Sequence, residues 1–432
     1  MSKFFNLPVV GIDVSADYSM VAILAPDGAV YRKAFKIMHT SDGFSYLLKE
    51  MRKVEKEFSM KPSLFMESTG VYHLTLFHFL KNNELETFVI NPLITNSNKN
   101  LGIRKVKNDK MDALTIANIA KFQNIKMSDY LDIPIFAVRS LCRDYYSLID
   151  NRSQFKKKLS SDLRTFFPGY HNVFSDVAGV TSLAVLSKFS SPKAIVDAPK
   201  DDLIALLKEN SCKSIDWCTN TYNKLLNAAL SAVQIGITNN SFKVTIGINI
   251  KLLNIINEQI ETLVNEIESA VKNDSTPASF KNNIALLLSF KGIGFITAVT
   301  IMSEIGDPTR FKHPKEMVAF FGIDPSVSQS GKFNSDQNKM SKRGTRFGRR
   351  ALYAAALASI RKSKTGKPIN SVLYQYRNKN LNGKKKKVAL CAIMHKLVKY
   401  IFAVLRDQKP YEIREPKLHN QMYVTNFSRS VS

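Results

Sequence analysis

Short apolar runs separated by turn residues predict a group of strands in the first hundred residues of the chain. The predicted strands are 9–14, 21–24, 30–35, 64–66 and 87–90. Apolar residues at helical spacing predict helices over 43–58, 71–82 and 109–122. Strands that first form a meander and then alternate with helices favour a mixed α/β sheet at the N-terminus.

After Pro134 the apolar positions change to a three-four spacing, which predicts a long helix ending at Pro168-Gly169. Its seam positions are Val138, Leu141, Tyr145, Leu148, Arg152, Phe155 and Leu159. A second seam consists of Leu253, Ile256, Ile260, Leu263, Ile267 and Ala270. These helices could pair with each other, pair across a dimer, or each cover an ordinary core. The sequence leaves these alternatives open, and residues 170–245 between the seams are predicted to be mostly helical.

Gly292-Ile293-Gly294 separates two apolar helical stretches and predicts a helix-hairpin-helix. The glycines permit a tight turn, and the N-terminus of the second helix can offer backbone N–H groups to a phosphate. A simple turn between two packed helices accounts for the same pattern. The motif therefore predicts a helix pair in the mostly α-helical second half and leaves DNA contact open.

Charge changes this picture because it is concentrated in one region. The 432 residues carry a net charge of +26, and residues 331–410 hold 21 Lys and Arg against two acids, a net charge of +19. A basic block of this density favours a polyanionic partner, with nucleic acid first. The alternative is a solvated basic face that maintains solubility. The length suggests two or three domains, and 44% hydrophobic residues exclude a wholly disordered chain.

Cysteine and hydropathy patterns indicate an intracellular protein. The four cysteines are too few for a disulfide scaffold, and Cys212 and Cys218 lack the spacing of a zinc site. The N-terminus has no signal-peptide pattern. The most apolar stretch, 388–405, is interrupted by His395, Lys396 and Lys399. We therefore expect a soluble protein with reduced thiols.

Four acids lie at positions where they could bind a metal ion. Asp13 and Glu67 end two apolar strands, and Asp109 and Asp112 lie three residues apart at the start of a helix. Buried carboxylates are costly unless they are paired, and hard oxygen ligands favour Mg²⁺ or Mn²⁺. Each acid could instead be structural, as a turn residue, a cap or an N-terminal partner of the helix dipole. Together they have the pattern of an RNase H-like nuclease site.

A serine-rich segment precedes the basic block. Ser326, Ser328 and Ser330 lie in a turn-prone stretch of small residues. The cations that follow are candidate nucleic-acid-binding residues: Lys332, Lys342, Arg343, Arg346, Arg349 and Arg350. A serine that attacks a phosphodiester would keep the bond energy in a phosphoserine link. A Ser-Gly pair in such a stretch also occurs simply as a turn.

Over residues 8 to about 412 the chain resembles the DEDD-type insertion-sequence transposases, a family that includes the pilin-gene inverting recombinase. Six short motifs, in the same order and at similar spacing, carry this resemblance. They are Gly11-Ile12-Asp13, 67–72 (ESTGVY), 107–113 (KNDKMDA), Gly292-Ile293-Gly294, 322–325 (GIDP) followed by Ser330-Gly331, and 341–344 (SKRG).

The resemblance implies a RuvC-like, RNase H-like domain over 1–130, in which Asp13, Glu67, Asp109 and Asp112 bind Mg²⁺. It implies a helical, coiled-coil oligomerisation region over 131–277, and a transposase domain over 278–412 that precedes a tail, 413–432. Ser330, directly before Gly331, best matches the family's nucleophilic serine, with Ser326 and Ser328 as neighbouring candidates.

The implied activity is the cutting and rejoining of DNA through a covalent 5′-phosphoserine intermediate. The implied partners are the double-stranded DNA of the element ends and target, a structured noncoding bridge RNA, and further copies of the chain as a dimer or tetramer. The implied location is the bacterial cytoplasm, in association with the nucleoid.

Two other functions fit the residues. The same four acids could serve a metal-dependent, structure-specific endonuclease of the Holliday-junction resolvase type, with water as its nucleophile. A non-catalytic nucleic-acid-binding protein would keep the basic block and use the acids structurally. Covalent attachment of DNA to a serine distinguishes the first hypothesis from both alternatives.

Overall fold

A computed structural model provides the three-dimensional structure, which divides into two compact units, Met1–Leu131 and Asp132–Ser432. The residues described are 2–67, 72–90, 95, 109–124, 133–236, 240–325, 329–330, 333–334, 339–415 and 421. Of these, residues 109–110, 240–242, 329–330 and 333–334 are described by their backbone alone. The first unit ends next to the first predicted domain boundary, whereas the second contains both the predicted helical region and the predicted transposase domain.

The first unit contains a five-stranded mixed sheet, and the sequence had predicted a mixed α/β sheet here. Its strands are β1 (Val9–Val14), β2 (Tyr18–Leu24), β3 (Val30–Met38), β4 (Ser63–Glu67) and β5 (Thr87–Ile90), in the order β3-β2-β1-β4-β5. The meander β1-β2-β3 is antiparallel, and β4 and β5 continue the sheet in parallel with β1. β1 is the central strand, which explains its nearly continuous apolar sequence.

Helices cover both faces of this sheet. On one face lie α1 (Ser41–Phe58) and α2 (His73–Asn82), whose apolar side chains share a core with the even-numbered residues of β1. The Thr40 hydroxyl accepts a hydrogen bond from the Gly43 N–H at 3.2 Å and caps α1. On the other face lies α3 (Asp109–Phe122), packed on Val9 and Phe65.

The chain before β1 is fastened to the end of α3 by a buried lysine. The Lys121 ammonium donates to the carbonyl oxygens of Phe5 and Leu7, each at 2.8 Å. Burial lowers the pKa of Lys121 below its usual value. A buried cation held by two backbone carbonyls fixes this N-terminal segment against the face of the sheet that α3 covers.

The two predicted seams pair with each other within one chain. They lie on α4 (Ile133–Phe166) and α9 (Asn240–Lys272). Arg152, the one charged seam residue, donates to the side-chain oxygen of Asn257 at 3.3 Å, and Asn249 donates to Asp162 at 2.8 Å. Because later residues of α4 meet earlier residues of α9, the two helices run antiparallel.

A helical bundle lies between the long helices in sequence. Its members are α5 (Val180–Lys188), α6 (Pro192–Val196), α7 (Lys200–Glu209) and α8 (Ile215–Ile235). Fully buried Tyr170 lies at its centre, and its hydroxyl is 2.9 Å from the hydroxyl of Ser182. Burial raises the pKa of this phenol far above its usual range. The mostly helical character predicted for 170–245 is confirmed for the described residues.

The remaining described helices are α10 (Ala278–Leu288), α11 (Phe295–Ile305), α12 (Pro314–Phe320), α13 (Arg346–Ser359), α14 (Ser371–Lys379) and α15 (Lys386–Asp407). α10 and α11 form the predicted helix pair, and Gly292 between them has φ +113°, where a β-carbon would lie 2.6 Å from the Ser359 hydroxyl. Among the described helices, α15 alone is long and apolar enough to cross a membrane. Leu397 and Ile401 of α15 are fully buried in this unit, so α15 is one of its core helices.

Candidate active site

Two of the four predicted acids lie at the same end of neighbouring strands. The pairing of β1 with β4 runs from Val9 opposite Ser63 to Ile12 opposite Met66, and Asp13 and Glu67 are the next residues. Alternate residues of a strand face the same side. Because Val9 and Phe65 pack on α3, Asp13 and Glu67 are on the side that α3 covers.

α3 brings a third acid to this end of the sheet. A β-carbon on Gly11 would lie 2.1 Å from the Ala113 carbonyl oxygen and 2.5 Å from the Ala117 nitrogen. The helix backbone therefore rests directly on β1, two residues before Asp13. Asp112, the residue before Ala113, is half-buried in the first turn of α3. This contact explains why a glycine occupies position 11 of the strand.

Glu67 is almost completely buried, and its Oε2 accepts a hydrogen bond at 2.9 Å from the hydroxyl of Thr95, itself fully buried. A buried carboxylate held by a neutral donor is the kind of ligand that a divalent cation would complete. Among the described side chains, no group of three acids, histidines or cysteines is close enough to hold one ion. The side chain of Asp109, the fourth predicted ligand, lies outside the described residues. The carboxylate chemistry suits a divalent cation, but the described side chains form no three-ligand site, so the four-acid ligand set stays a prediction.

The candidate nucleophile lies in a short hairpin of the second unit. β6 (Gln329–Ser330) pairs with β7 (Phe333–Asn334), with Ser330 opposite Phe333. The sequence had predicted a turn-prone loop here, and Ser330 instead lies at the end of a strand. Ser326, Ser328 and Lys332 lie outside the described residues, as does the side chain of Ser330. The choice among the three serines therefore stays a prediction.

The segment that carries Ser330 leaves and re-enters the fold at one place, which we call the neck (residues 320–325 and 339–345). Pro325 forms a β-bridge with Met340. The Ser341 N–H donates to the Asp324 carbonyl at 2.9 Å, and the Ser341 hydroxyl donates to the Asp324 carboxylate at 2.6 Å. The two limbs of the neck are thus joined by backbone and side-chain hydrogen bonds.

Two glycines allow the limbs to touch. A β-carbon on Gly344 would lie 2.2 Å from the Phe320 carbonyl oxygen and 2.6 Å from the Gly322 nitrogen. Gly322 has φ +61°, and the Lys342 N–H donates to its carbonyl at 3.0 Å. These two glycines belong to the motifs on which the family resemblance rests, and close backbone contact explains them.

The predicted nucleic-acid-binding cations divide into two groups. Lys342, Arg343 and Arg346 are exposed. Arg350 instead forms an ion pair with Asp150 at 2.8 Å, and the Arg349 guanidinium is turned onto backbone carbonyls of the neck. Exposed cations can contact a phosphate backbone without breaking a bond within the protein.

A buried ion pair next to this region was not predicted from the sequence. Glu304 has a side chain only 3% exposed; Arg143 donates from Nε to Oε1 at 2.8 Å and from Nη2 to Oε2 at 3.0 Å. The Thr345 hydroxyl, which caps α13, donates to the same carboxylate at 2.8 Å. The signal was available: Glu304 is the single charged residue in the otherwise uncharged helix α11.

Comparison with known proteins relates both units to transposases. Residues 10–168 match the DEDD transposase family of IS110 elements, described as "Transposase". Residues 284–369 match the family described as "Transposase IS116/IS110/IS902 family". Together the two matches cover more than half of the chain, and they contain Asp13, Glu67, Asp109, Asp112 and Ser330.

Individual relatives agree with the family matches. The chain is 22% identical to an insertion element IS110 protein of Streptomyces coelicolor, over 72% of this chain and 74% of that protein. It is 24% identical to the mini-circle putative transposase for IS117 of the same organism, over 74% and 77%. The pilin gene-inverting protein of Moraxella bovis is 29% identical over 30% of this chain and 39% of its own length.

Proposed function

Because the chain belongs to the IS110-type DEDD transposase family, we propose that it cuts DNA and rejoins it through a covalent 5′-phosphoserine intermediate, guided by a structured noncoding RNA. The proposal rests chiefly on one observation: Asp13 and Glu67 directly follow paired residues of two adjacent parallel strands, on the face that α3 covers. Acids from separate elements are thereby brought to one end of one sheet.

The strand order β3-β2-β1-β4-β5 supports an RNase H-like, RuvC-like assignment for the first unit. Asp13, Glu67, Asp109 and Asp112 would hold Mg²⁺, with Mn²⁺ as the alternative ion. A bound divalent cation supplies charge stabilisation to a phosphoryl group in transfer. Thr95 would orient the Glu67 carboxylate through its hydrogen bond, and Gly11 would allow α3 to bring Asp112 to the same end of the sheet.

Ser330 is the proposed nucleophile. Its hydroxyl oxygen would attack the phosphorus of a DNA phosphodiester and lose its proton, and the bond to the 3′ oxygen would break, which leaves a 3′-hydroxyl. A 3′-hydroxyl of the second DNA would then attack the phosphoserine, restore a phosphodiester and release the serine. One phosphate ester replaces another in each step, so no further reactant is needed.

The basic region provides the proposed contacts with nucleic acid. Lys342 and Arg343 of the neck, and Arg346 directly after it, are exposed. They would hold phosphates of double-stranded element-end and target DNA or of the guide RNA, together with Lys332 and Arg350. Further copies of the chain, as a dimer or tetramer, would complete the assembly. The proposed location is the bacterial cytoplasm, at the nucleoid.

The products of DNA cleavage test this function. The full chain is incubated with Mg²⁺, the DNA ends of its element and the RNA that the element encodes. The proposal predicts joined strands, and cleaved strands whose 5′ ends are blocked by protein until protease digestion. Ser330→Ala should abolish both, whereas Ser326→Ala and Ser328→Ala should not.

Free 5′-phosphate ends formed at the same rate by Ser330→Ala would contradict the serine mechanism and favour the water-using endonuclease. Retained cleavage by Asp13→Ala would remove the carboxylate site from both enzyme hypotheses. Tight, RNA-independent DNA binding with no cleavage under any of these conditions would favour a non-catalytic binding protein.

A further inference from the structure

Arg349 lies one turn into α13, among the basic residues predicted to contact DNA. Its guanidinium instead forms hydrogen bonds with the neck. Nη1 donates to the carbonyl oxygens of Phe321 at 3.0 Å, Gly344 at 3.1 Å and Lys342 at 3.3 Å. Phe321 is on the outgoing limb of the neck, and the other two acceptors are on the returning limb. One guanidinium nitrogen therefore joins both limbs.

The acceptor residues show why a cation is needed there. Lys342 has φ +56°, a left-handed conformation that is unfavourable for a non-glycine residue and persists only where its surroundings enforce it. Its N–H is bonded to the Gly322 carbonyl, and its own carbonyl is turned to Arg349. Three carbonyl dipoles that converge on one point repel each other unless a donor with positive charge lies between them.

Close packing makes this arrangement specific for arginine. Nη1 lies 2.9 Å from the position that a β-carbon on Gly322 would occupy, so the guanidinium fits in the space that this glycine leaves. Partial burial lowers the pKa of Arg349. A lysine ammonium is a more strongly hydrated point charge on a flexible stem, so it would hold these three carbonyls less firmly.

The neck has one further attachment. His395 of α15 donates from Nε2 to the Ile323 carbonyl at 2.7 Å. The outgoing limb is therefore hydrogen-bonded to two helices: Phe321 to Arg349 of α13, and Ile323 to His395 of α15. The hairpin with Ser330 begins four residues after Pro325, so the neck is the described part of the fold that precedes it in the chain.

We propose that Arg349 is a positioning residue, which fixes the neck so that the hairpin carrying Ser330 is presented in one orientation, and is not a phosphate contact. This inference rests on the proposed function of Ser330. It separates Arg349 from Lys342, Arg343 and Arg346, which share its charge and its stretch of sequence. Reacting groups displaced by about 1 Å can lose roughly a hundredfold in rate, so a loosened neck has a kinetic consequence.

Arg349→Lys tests the proposal because it keeps the charge and replaces the guanidinium with a flexible, more strongly hydrated ammonium. The matched control is Arg414→Lys, which alters an arginine paired with Glu412 two residues away. With element-end DNA and the element's RNA in excess, single-turnover formation of the serine–DNA adduct is followed for both variants. We expect Arg349→Lys to be about tenfold slower or more at saturating DNA, with its final adduct yield, DNA Kd and salt dependence unchanged. Arg414→Lys should match the unmodified chain.

Three results would overturn the proposal. An unchanged rate would show that Arg349 does not position the serine. A weaker DNA Kd with a normal rate at saturation would make Arg349 a phosphate contact. A lower final yield at a normal rate would indicate a loss of folded protein only.

A second readout separates this inference from the proposed function. In the free full chain, the amide hydrogens of Lys342 and Thr345 are bonded to the carbonyls of Gly322 and Phe320. Arg349→Lys should speed hydrogen exchange at these two amides at least tenfold, with no change at Ala355 in the core of α13. If the unmodified chain forms no adduct, the serine mechanism fails, but unchanged exchange is what would refute the role of Arg349 in the neck.

Discussion

The carbonyl oxygen of Ala113 lies so close to Gly11 that a β-carbon on Gly11 would come within 2.1 Å of it. This contact fixes the first turn of α3, with Asp112, over the strand that contains Asp13. Backbone-to-backbone contact of this kind leaves no flexible side chain that could move aside. A single glycine therefore sets the geometry of the predicted carboxylate site.

Gly11→Ala should destabilise the first unit because α3 must move away from β1. Overpacking against backbone costs about 1–3 kcal/mol and sometimes more. Calorimetry of the full chain should show a lower unfolding temperature for one of its transitions. Gly247→Ala is the control, since a β-carbon there meets no atom within 4 Å and alanine favours a helix. An unchanged unfolding profile for Gly11→Ala would contradict the described packing of α3.

Loss of the Thr95 hydroxyl should weaken metal binding without removing a ligand. Thr95→Val keeps the shape of the side chain and removes the hydrogen bond to Glu67. Changes to groups that orient a metal ligand typically cost 10–100-fold in affinity, so Mn²⁺ measured by titration calorimetry should bind at least about tenfold more weakly. The Asp13→Asn variant should bind Mn²⁺ more weakly still. The Asp27→Asn variant, altered in the β2–β3 turn, should bind Mn²⁺ with unchanged affinity. Equal affinities for all variants would argue against a carboxylate metal site.

Arg143→Met should strongly destabilise the second unit because it leaves the Glu304 carboxylate buried with only the described Thr345 donor. Removal of one partner from a buried ion pair costs about 3–5 kcal/mol, and the partial exposure of Arg143 favours the lower end. Urea unfolding followed by circular dichroism measures this loss. The double variant Arg143→Met/Glu304→Met should recover much of it, because no charge is then left unpaired. Simple addition of two losses would contradict a coupled pair.

Helices and strands were predictable where buried apolar residues recur at a regular helical or strand spacing along the sequence. The sequence predicted β1 at its observed limits and α3 at Asp109–Phe122. It began β2 at residue 21 where the strand begins at Tyr18, and it ended β3 at residue 35 where the strand continues to Met38. Ser19 is polar yet fully buried, and its hydroxyl is 2.8 Å from the Nε2 of His39. Such a partner twenty residues away leaves no trace in local hydropathy.

The functional residues were predictable only in part, because some of their partners are distant in the sequence. Asp13 and Glu67 stand out because an acid ends an apolar strand. Arg349 was predicted to contact nucleic acid because its neighbours in the sequence are basic, whereas its acceptors lie 5 to 28 residues away. The pairing of α4 with α9 likewise depends on contacts about a hundred residues apart, such as Arg152 with Asn257.

Stability should fall as the pH is lowered through the range in which histidine titrates. Burial, aided by the charge of Arg164, lowers the pKa of His171, and burial lowers that of His78. The unfolded chain therefore binds protons that the folded chain does not, and folding loses free energy as the pH falls below about 6.5. The urea midpoint should be lower at about pH 5.5 than at about pH 7.5. His171→Gln should reduce this difference, and an unreduced difference would show that His171 does not contribute.

The chemical identity of the DNA–protein link tests the account most directly. After reaction with element-end DNA, RNA and Mg²⁺, the protein is denatured and digested with nuclease and trypsin, and the fragment from Glu316 to Lys332 is sequenced by mass spectrometry. That fragment contains Ser326, Ser328 and Ser330. The account predicts a nucleotide joined through its 5′-phosphate to the oxygen of Ser330. A nucleotide on Ser326 or Ser328 would move the nucleophile, and an unmodified fragment in a reaction that cuts DNA would contradict the serine mechanism.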